Sequence, residues 1–134
     1  MTTLDQAAES VAAQWVAEWG ATTTFCLPNE NFAKPASGPF VRLLVQHRPG
    51  GNATLGATGF RRHTRQARVF IHVYDDADIG TRRLNQLAQQ ARAVFESRSF
   101  SGLRFFPADV REGADEGRHK QMIVDAPFDY QETK

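Results

Sequence analysis

Residues 67–96 decide the fold: ARVFIHVYDDADIGTRRLNQLAQQARAVFE. In the first part of this stretch the side chains alternate between two sets, with Val69, Ile71 and Val73 in one and Phe70, His72 and Tyr74 in the other. This alternation predicts a β-strand with at least one buried face. In the second part the apolar residues recur every three or four positions, which predicts an amphipathic helix over 81–96. Because this helix has a single apolar stripe, we expect it to pack against the strand that precedes it.

The N-terminal segment predicts another helix, from residue 4 to residue 19. Its apolar stripe consists of Leu4, Ala8, Val11, Trp15 and Trp19. Thr3 and Gln6 fit a capping box at the start of the helix, and Gly20 suits its end.

The rest of the chain predicts further strands at 22–27, 40–47, 54–62, 102–106 and 120–130. A turn is expected at 48–52, a connection at 63–66 and a long irregular loop at 28–39. After 102–106, Pro107 permits an edge or bulged strand that carries on to Val110. In 120–130, Met122 and Val124 alternate with Ile123 and Asp125, which predicts one buried and one wet side. The sequence therefore predicts a single α+β domain over 1–134, with a mostly antiparallel sheet of about five to six strands and two helices on one face.

Composition excludes several classes of protein. A formal net charge of +1 argues against a strongly basic nucleic-acid binder. Cys26 is the only cysteine, so no intrachain disulfide can form. No stretch approaches the roughly 20 apolar residues of a membrane span, and no signal peptide is apparent. We therefore expect a soluble, intracellularly made protein without membrane partners.

No pattern of catalytic residues is present. The glycines match neither a Walker motif nor GxGxxG, the histidines lack HExxH spacing, and no GxSxG elbow occurs. Asp75, Asp76 and Asp78 could hold a divalent cation, but they precede a helix, where carboxylates cap amides and complement the dipole. We favour this structural interpretation, and we expect neither enzymatic activity nor a metal or cofactor.

The notable concentration of charge is basic and consists of Arg61, Arg62, His63, Arg65 and Arg68. One interpretation is a solvated hairpin edge, at which charges prevent strand-to-strand aggregation. The other is a contact surface for an acidic partner or a phosphate backbone.

Several short motifs give the chain a family resemblance. They are Asn29-x-x-Phe32-x-x-Pro35, Phe40-Val41-Arg42 at the start of a strand, Gly56, Gly80 before the amphipathic helix, and Phe128-x-Tyr130. In their order and in total length they resemble the small tail-terminator-like proteins of tailed phages, over nearly the whole chain. The resemblance implies a non-enzymatic virion protein that assembles as a ring, commonly a hexamer, at the end of the tail tube. Such a ring stops tube polymerisation and presents a surface for head attachment.

From this resemblance we expect three kinds of partner: further copies of the chain, the tail tube protein and the head–tail connector protein. The protein would then reside in the virion tail, after synthesis in a bacterial host from a phage or a prophage. Because a ring needs two different patches on each subunit, the candidate interface residues are those that the core does not explain: Asn29, Phe32, Pro35, Arg61, Arg62, Arg65 and Arg68. Two alternatives stay open: a nucleic-acid-binding module that uses the arginines, and a small-molecule-binding or enzymatic domain.

Overall fold

The computed structural model describes residues 3–20, 22–28, 38–52, 62–77, 80–114 and 119–133. Helix α1 spans Leu4–Trp19 and helix α2 spans Arg82–Phe95. The strands in the described ranges are β1 Thr24–Cys26, β2 Phe40–Asn52, β3 Arg62–Asp76, β4 Ser99–Phe100, β5 Leu103–Phe105, β6 Asp109–Glu112 and β7 His119–Thr133.

These strands form one sheet in the order β1-β2-β3-β7-β5-β4, with β6 also paired to β7. Its centre is the antiparallel ladder of β3 and β7, which runs without a register shift from Arg62↔Thr133 to Asp76↔His119. Strand β1 pairs in parallel with β2, so the sheet is mixed rather than purely antiparallel. The predicted α+β class is confirmed, with a sheet one strand larger than the upper end of the predicted range.

The two helices cover one face of the sheet, as predicted. Val69, Ile71 and Val73 on this face of β3 are fully buried, since none exposes any of its surface. Helix α2 lies on β3 and β7 and contributes six buried side chains: Leu84, Leu87, Ala88, Ala91, Val94 and Phe95. Helix α1 packs beside α2, where the ring of Trp15 stacks against that of Phe95 at 6.2 Å between centroids.

The predicted ends of helix α1 are confirmed. The Thr3 side chain accepts a hydrogen bond from the Gln6 amide, the Gln6 side chain accepts one from the Thr3 amide, and Gly20 ends the helix at a φ of 57°. A positive φ favours glycine because it has no Cβ.

Two predicted boundaries in the central strands are wrong. The turn expected at 48–52 is part of β2, which continues to Asn52 with a register shift between Arg48 and Gly51. The connection expected at 63–66 is part of β3. Proline and glycine are local turn signals, but pairing with a neighbouring strand overrides them here and confines their effect to an irregularity. The predicted strand at 54–62 lies outside the described residues except for Arg62, and so does most of the loop at 28–39.

The predicted continuation after Pro107 is a separate short strand, β6, which pairs with β7 between Asp109↔Asp125 and Glu112↔Met122.

Within the part of the chain that the structure describes, neither helix combines the length and the apolar character that a bilayer crossing requires.

Candidate functional site: the uncovered sheet face

The face of the sheet opposite the helices carries the surface that the core does not explain. Register places Leu44 opposite Phe70 and His72 opposite Ile123, so these four residues from β2, β3 and β7 share that face. Leu44 is 51% exposed, and Phe70, His72 and Ile123 are half-buried. Among the described residues, both helices lie on the other side. We call this surface, defined by Arg42, Leu44, Arg68, Phe70, His72, Arg111, Ile123 and Asp125, the uncovered face.

One carboxylate on the uncovered face is shared by two arginines. Arg68 donates from Nη1 to Oδ2 of Asp125 at 2.7 Å, and Nη1 of Arg111 lies 3.8 Å from the same oxygen. The Asp125 side chain is only 8% exposed, so its charge requires this compensation. The exposed Asp109 lies opposite Asp125 in the β6–β7 register, so this part of the face carries two cations and two anions.

The Arg111 guanidinium also lies near an aromatic ring. Its Cζ is 6.0 Å from the centroid of Phe70, at the outer limit of a cation–π contact. This contact joins the charged part of the face to its apolar part.

Beside Leu44 the face contains a groove of about 210 Å³, lined by Cys26, Leu27, Arg42, Leu43, Leu44, His72 and Tyr74. In the described residues β1 pairs with Phe40–Arg42 of β2, and the groove lies where this pairing ends, at Cys26 and Leu27. Arg42 is half-buried and has no ion-pair partner among the described residues. The Gln121 amide contacts Nδ1 of His72, which fixes the imidazole at the floor of the groove.

At one end of the sheet the same face is closed by buried rings. Phe40 stacks on Tyr74 at 4.5 Å, and His119 meets Phe40 edge-on at 4.9 Å between centroids. Nε2 of His119 lies 4.0 Å from Oδ1 of Asp76, which accepts a hydrogen bond from the Gly38 amide at 2.9 Å. This end is therefore packed, and the accessible part of the face lies around Leu44.

The acidic residues before α2 have a structural role that differs from the predicted one. Thr81 is the N-cap residue of α2 and makes no side-chain capping bond, so no predicted aspartate caps this helix in the described residues. Asp75 instead accepts hydrogen bonds from Nε and Nη2 of Arg83 at 2.7 and 2.5 Å. Asp78 lies outside the described residues, which contain no metal-binding group of three or more His, Cys, Asp and Glu side chains.

Burial raises the pKa of the Asp75 carboxyl, but the hydrogen bonds from Arg83 and from the Asp76 amide, together with the charge of Arg83, outweigh this effect. The pKa of Asp75 is therefore held below its usual value. The pair ties the first turn of α2 to the end of β3.

Two arginines of the predicted cluster have described side chains, and these two lie on opposite faces of the sheet. Arg61 lies outside the described residues, and Arg62 is described only as part of the backbone of β3. Arg65 pairs in register with Tyr130 on the helix-covered side, whereas Arg68 lies on the uncovered face. Strand alternation separates them, because residues three apart point to opposite faces. Asn29, Phe32 and Pro35 lie outside the described residues.

Of the residues that define the uncovered face, only Arg68 was predicted as an interface residue, although a signal for the others was present. Phe70 and His72 alternate with Val69 and Ile71, so β3 is apolar on both faces, and Ile123 continues this pattern on β7. A strand that is apolar on both faces indicates cover on both sides. Arg111 and Asp125 carry no such local signal, since only register brings them together.

Comparison with known proteins gives matches to the fold but no match that indicates a function. No family model and no curated protein matches the sequence. Nine chains of solved structures match the fold, and one of them, whose name describes no function, superposes with a TM-score of 0.63. It is 17% identical in sequence, and the match covers 94% of this chain and 96% of that chain. At this identity the likeness concerns the fold alone.

Proposed function

We propose that this protein is a structural virion protein that closes the end of a phage tail tube as a ring, expected to be a hexamer. The ring ends tube polymerisation and presents a surface to the head–tail connector protein. The proposal places the protein in the virion tail, with the tail tube protein and copies of itself as its other partners. It rests on the resemblance in sequence and on one structural observation, the uncovered face.

The uncovered face supports assembly because its centre is apolar and accessible. Leu44 and Phe70 lie opposite each other at this centre, and arginine and aspartate side chains surround them. A protein interface commonly has this composition, with an apolar centre and a polar rim. A subunit of a tail-end ring contacts neighbours on two sides, so it needs more such surface than a monomeric domain does.

Nucleic-acid binding has less support. Of the arginines that suggested it, Arg65 and Arg68 lie on opposite faces of β3, and Arg68 already pairs with Asp125 at 2.7 Å. The groove beside Leu44 gives little support to a small-molecule site, because its volume is about 210 Å³, whereas ligand pockets usually enclose roughly 300–1,000 Å³.

The test uses the tail tube protein of the phage or prophage that encodes this chain. Tubes polymerised with and without the purified protein are measured by negative-stain electron microscopy. We expect the protein to shorten the tubes in proportion to its concentration and to add a ring of density at one end. Tubes of unchanged length without terminal density would exclude the proposed function.

A further inference from the structure

We propose that the ring contact seats the outer surface of α1 of one subunit on the uncovered face of the next subunit. This inference rests on the proposed function, since it names the two surfaces with which a head-to-tail ring would be built.

The outer surface of α1 is acidic in its first half and apolar in its second half. Asp5, Glu9, Ala13 and Val16 recur at helical spacing on the side away from the core, and all four are exposed. Val16 is 48% exposed and supplies the large apolar side chain of this surface. We call these four residues the outer stripe.

The charge of α1 has one sign. Residues 4–19 contain Asp5, Glu9 and Glu18 but no lysine or arginine. Glu9 has no ion-pair partner among the described residues. The Thr3 hydroxyl donates to Oδ1 of Asp5 at 2.6 Å, and this hydrogen bond is the main reason that the pKa of Asp5 is lowered. The outer stripe is therefore anionic at neutral pH.

On the uncovered face the complementary charge is that of Arg42. Arg42 lies on the same face of β2 as Leu44 and has no carboxylate partner in the described part of the chain. Arg68 and Arg111 share the single carboxylate of Asp125. Leu44 thus lies beside a cation, Arg42, that has no carboxylate partner among the described residues, as Val16 lies on the same stripe as the anions Asp5 and Glu9.

The spacing of the two surfaces agrees. Glu9 and Val16 are two helical turns apart on α1, which separates their Cα atoms by about 10.5 Å along the axis. Arg42 and Leu44 are two residues apart on β2, about 7 Å between Cα atoms. The difference of about 4 Å is within the reach of glutamate and arginine side chains. With Val16 on Leu44, Glu9 can therefore meet Arg42.

The positions of the two surfaces make the contact head-to-tail. Helix α1 belongs to the layer on one side of the sheet, and the uncovered face is the other side. The contact joins two different surfaces, so each subunit keeps one free surface for a further neighbour, as ring assembly requires.

The first experiment exchanges the charges. Glu9→Arg and Arg42→Glu are purified separately, and association is measured by sedimentation velocity at low salt across a wide range of protein concentration. We expect each variant alone to associate roughly tenfold more weakly than the wild type, because like charges then face each other. A mixture of equal amounts should recover, because the altered helix then meets the altered sheet face. Glu112→Arg, the same charge change at an exposed residue of β6, should associate as the wild type does.

A second measurement does not depend on altered charges. Val16→Cys and Leu44→Cys are each introduced into Cys26→Ser, and the two proteins are mixed and oxidised. We expect disulfides between position 16 of one subunit and position 44 of another to exceed the products that join two identical positions. Mainly 44-to-44 products would show a symmetric dimer and would overturn the inference. Wild-type association without any 16-to-44 product, or no association at any concentration, would also overturn it.

These outcomes separate the contact from the function. If both charge variants cap tail tubes as well as the wild type does, the proposed function holds and this contact is wrong. If the charge exchange restores association but the assembled protein leaves tube length unchanged, the contact holds and the proposed function is wrong.

Discussion

The ion pair between Asp75 and Arg83 connects the central strand to α2, and we predict that Asp75→Asn destabilises the protein. Asp75 is 1% exposed and accepts three hydrogen bonds: two from Arg83, at 2.7 and 2.5 Å, and one from the Asp76 amide, at 2.8 Å. Asparagine keeps one carbonyl oxygen for these donors. It replaces the other acceptor with an amide that cannot accept from Nε of Arg83.

The size of this effect follows from the exposure of the two partners. Removing one member of a fully buried ion pair costs about 3–5 kcal/mol, because the remaining charge stays unpaired. The Arg83 side chain is 50% exposed, so water can solvate it once the carboxylate is gone. The expected loss is therefore closer to that of a charged hydrogen bond, about 1.5–3 kcal/mol at neutral pH.

The pH dependence distinguishes this pair from a simple loss of packing. The pKa of Asp75 is lowered in the folded protein, so the unfolded chain binds the proton more readily. The carboxylate therefore stabilises the fold fully above about pH 5, and this contribution declines as the pH falls below the usual carboxyl value of about 3.9. The gap in unfolding free energy between wild type and Asp75→Asn should narrow over that range.

Urea denaturation of both proteins at neutral and acidic pH measures this gap. Asp129→Asn is the matched control. Nη2 of Arg104 lies 2.9 Å from Oδ2 of Asp129, so the pair has similar geometry, but the Arg104 side chain is 66% exposed. An exposed pair contributes about 0–1 kcal/mol. An unfolding free energy lost by Asp75→Asn that is no larger than that lost by Asp129→Asn at neutral pH would contradict the predicted role of the pair. A difference between wild type and Asp75→Asn that is unchanged at about pH 3 would also contradict it.

Two further predictions concern the core and the charged face. Leu87 on α2 is 7% exposed, so Leu87→Ala should lower the unfolding free energy by about 2–5 kcal/mol in urea denaturation. The control is Gln86→Ala at the exposed neighbouring residue, which should change the unfolding free energy by no more than about 0.5 kcal/mol. Duplex DNA should show no measurable binding at physiological salt in a fluorescence anisotropy titration, because Arg65 and Arg68 lie on opposite sides of the sheet and Arg68 is paired. Micromolar affinity that falls steeply with salt would instead favour the nucleic-acid alternative.

The helices and the buried side of the sheet were predictable because their signals are local. The bounds of α1 follow from the Thr3 cap and Gly20, and the stripe around Leu87 identifies the buried side of α2. The ends of β2 and β3 were not predictable in this way. Gly50 and Gly51 resemble a turn, but β2 continues past them because a neighbouring strand pairs with it.

The candidate site was harder to predict because it consists of residues that only strand register brings together. Asp125 alternates with Ala126 in a pattern that predicts a wet side, yet it is 6% exposed. Its partners, Arg68 and Arg111, lie on two other strands. Arg65 and Arg68 of the predicted cluster lie on opposite faces of β3 for the same reason, since proximity in sequence does not give proximity in space along a strand.

The charge-exchange mixture also tests whether the number of subunits in the ring is even or odd, because the contact joins two different surfaces. In a ring of Glu9→Arg and Arg42→Glu subunits, every favourable contact joins unlike subunits: altered helix to altered sheet face, or native helix to native sheet face. The two variants must therefore alternate, and alternation closes only in a ring with an even number of subunits. For a hexamer, native mass spectrometry should find closed rings with equal numbers of the two variants. An odd-numbered ring would retain one like-charge contact, and unequal numbers of the two variants in closed rings would show that the contact does not alternate. The number of subunits in the wild-type ring is measured in parallel. If the mixture forms closed, alternating rings, this number should also be even.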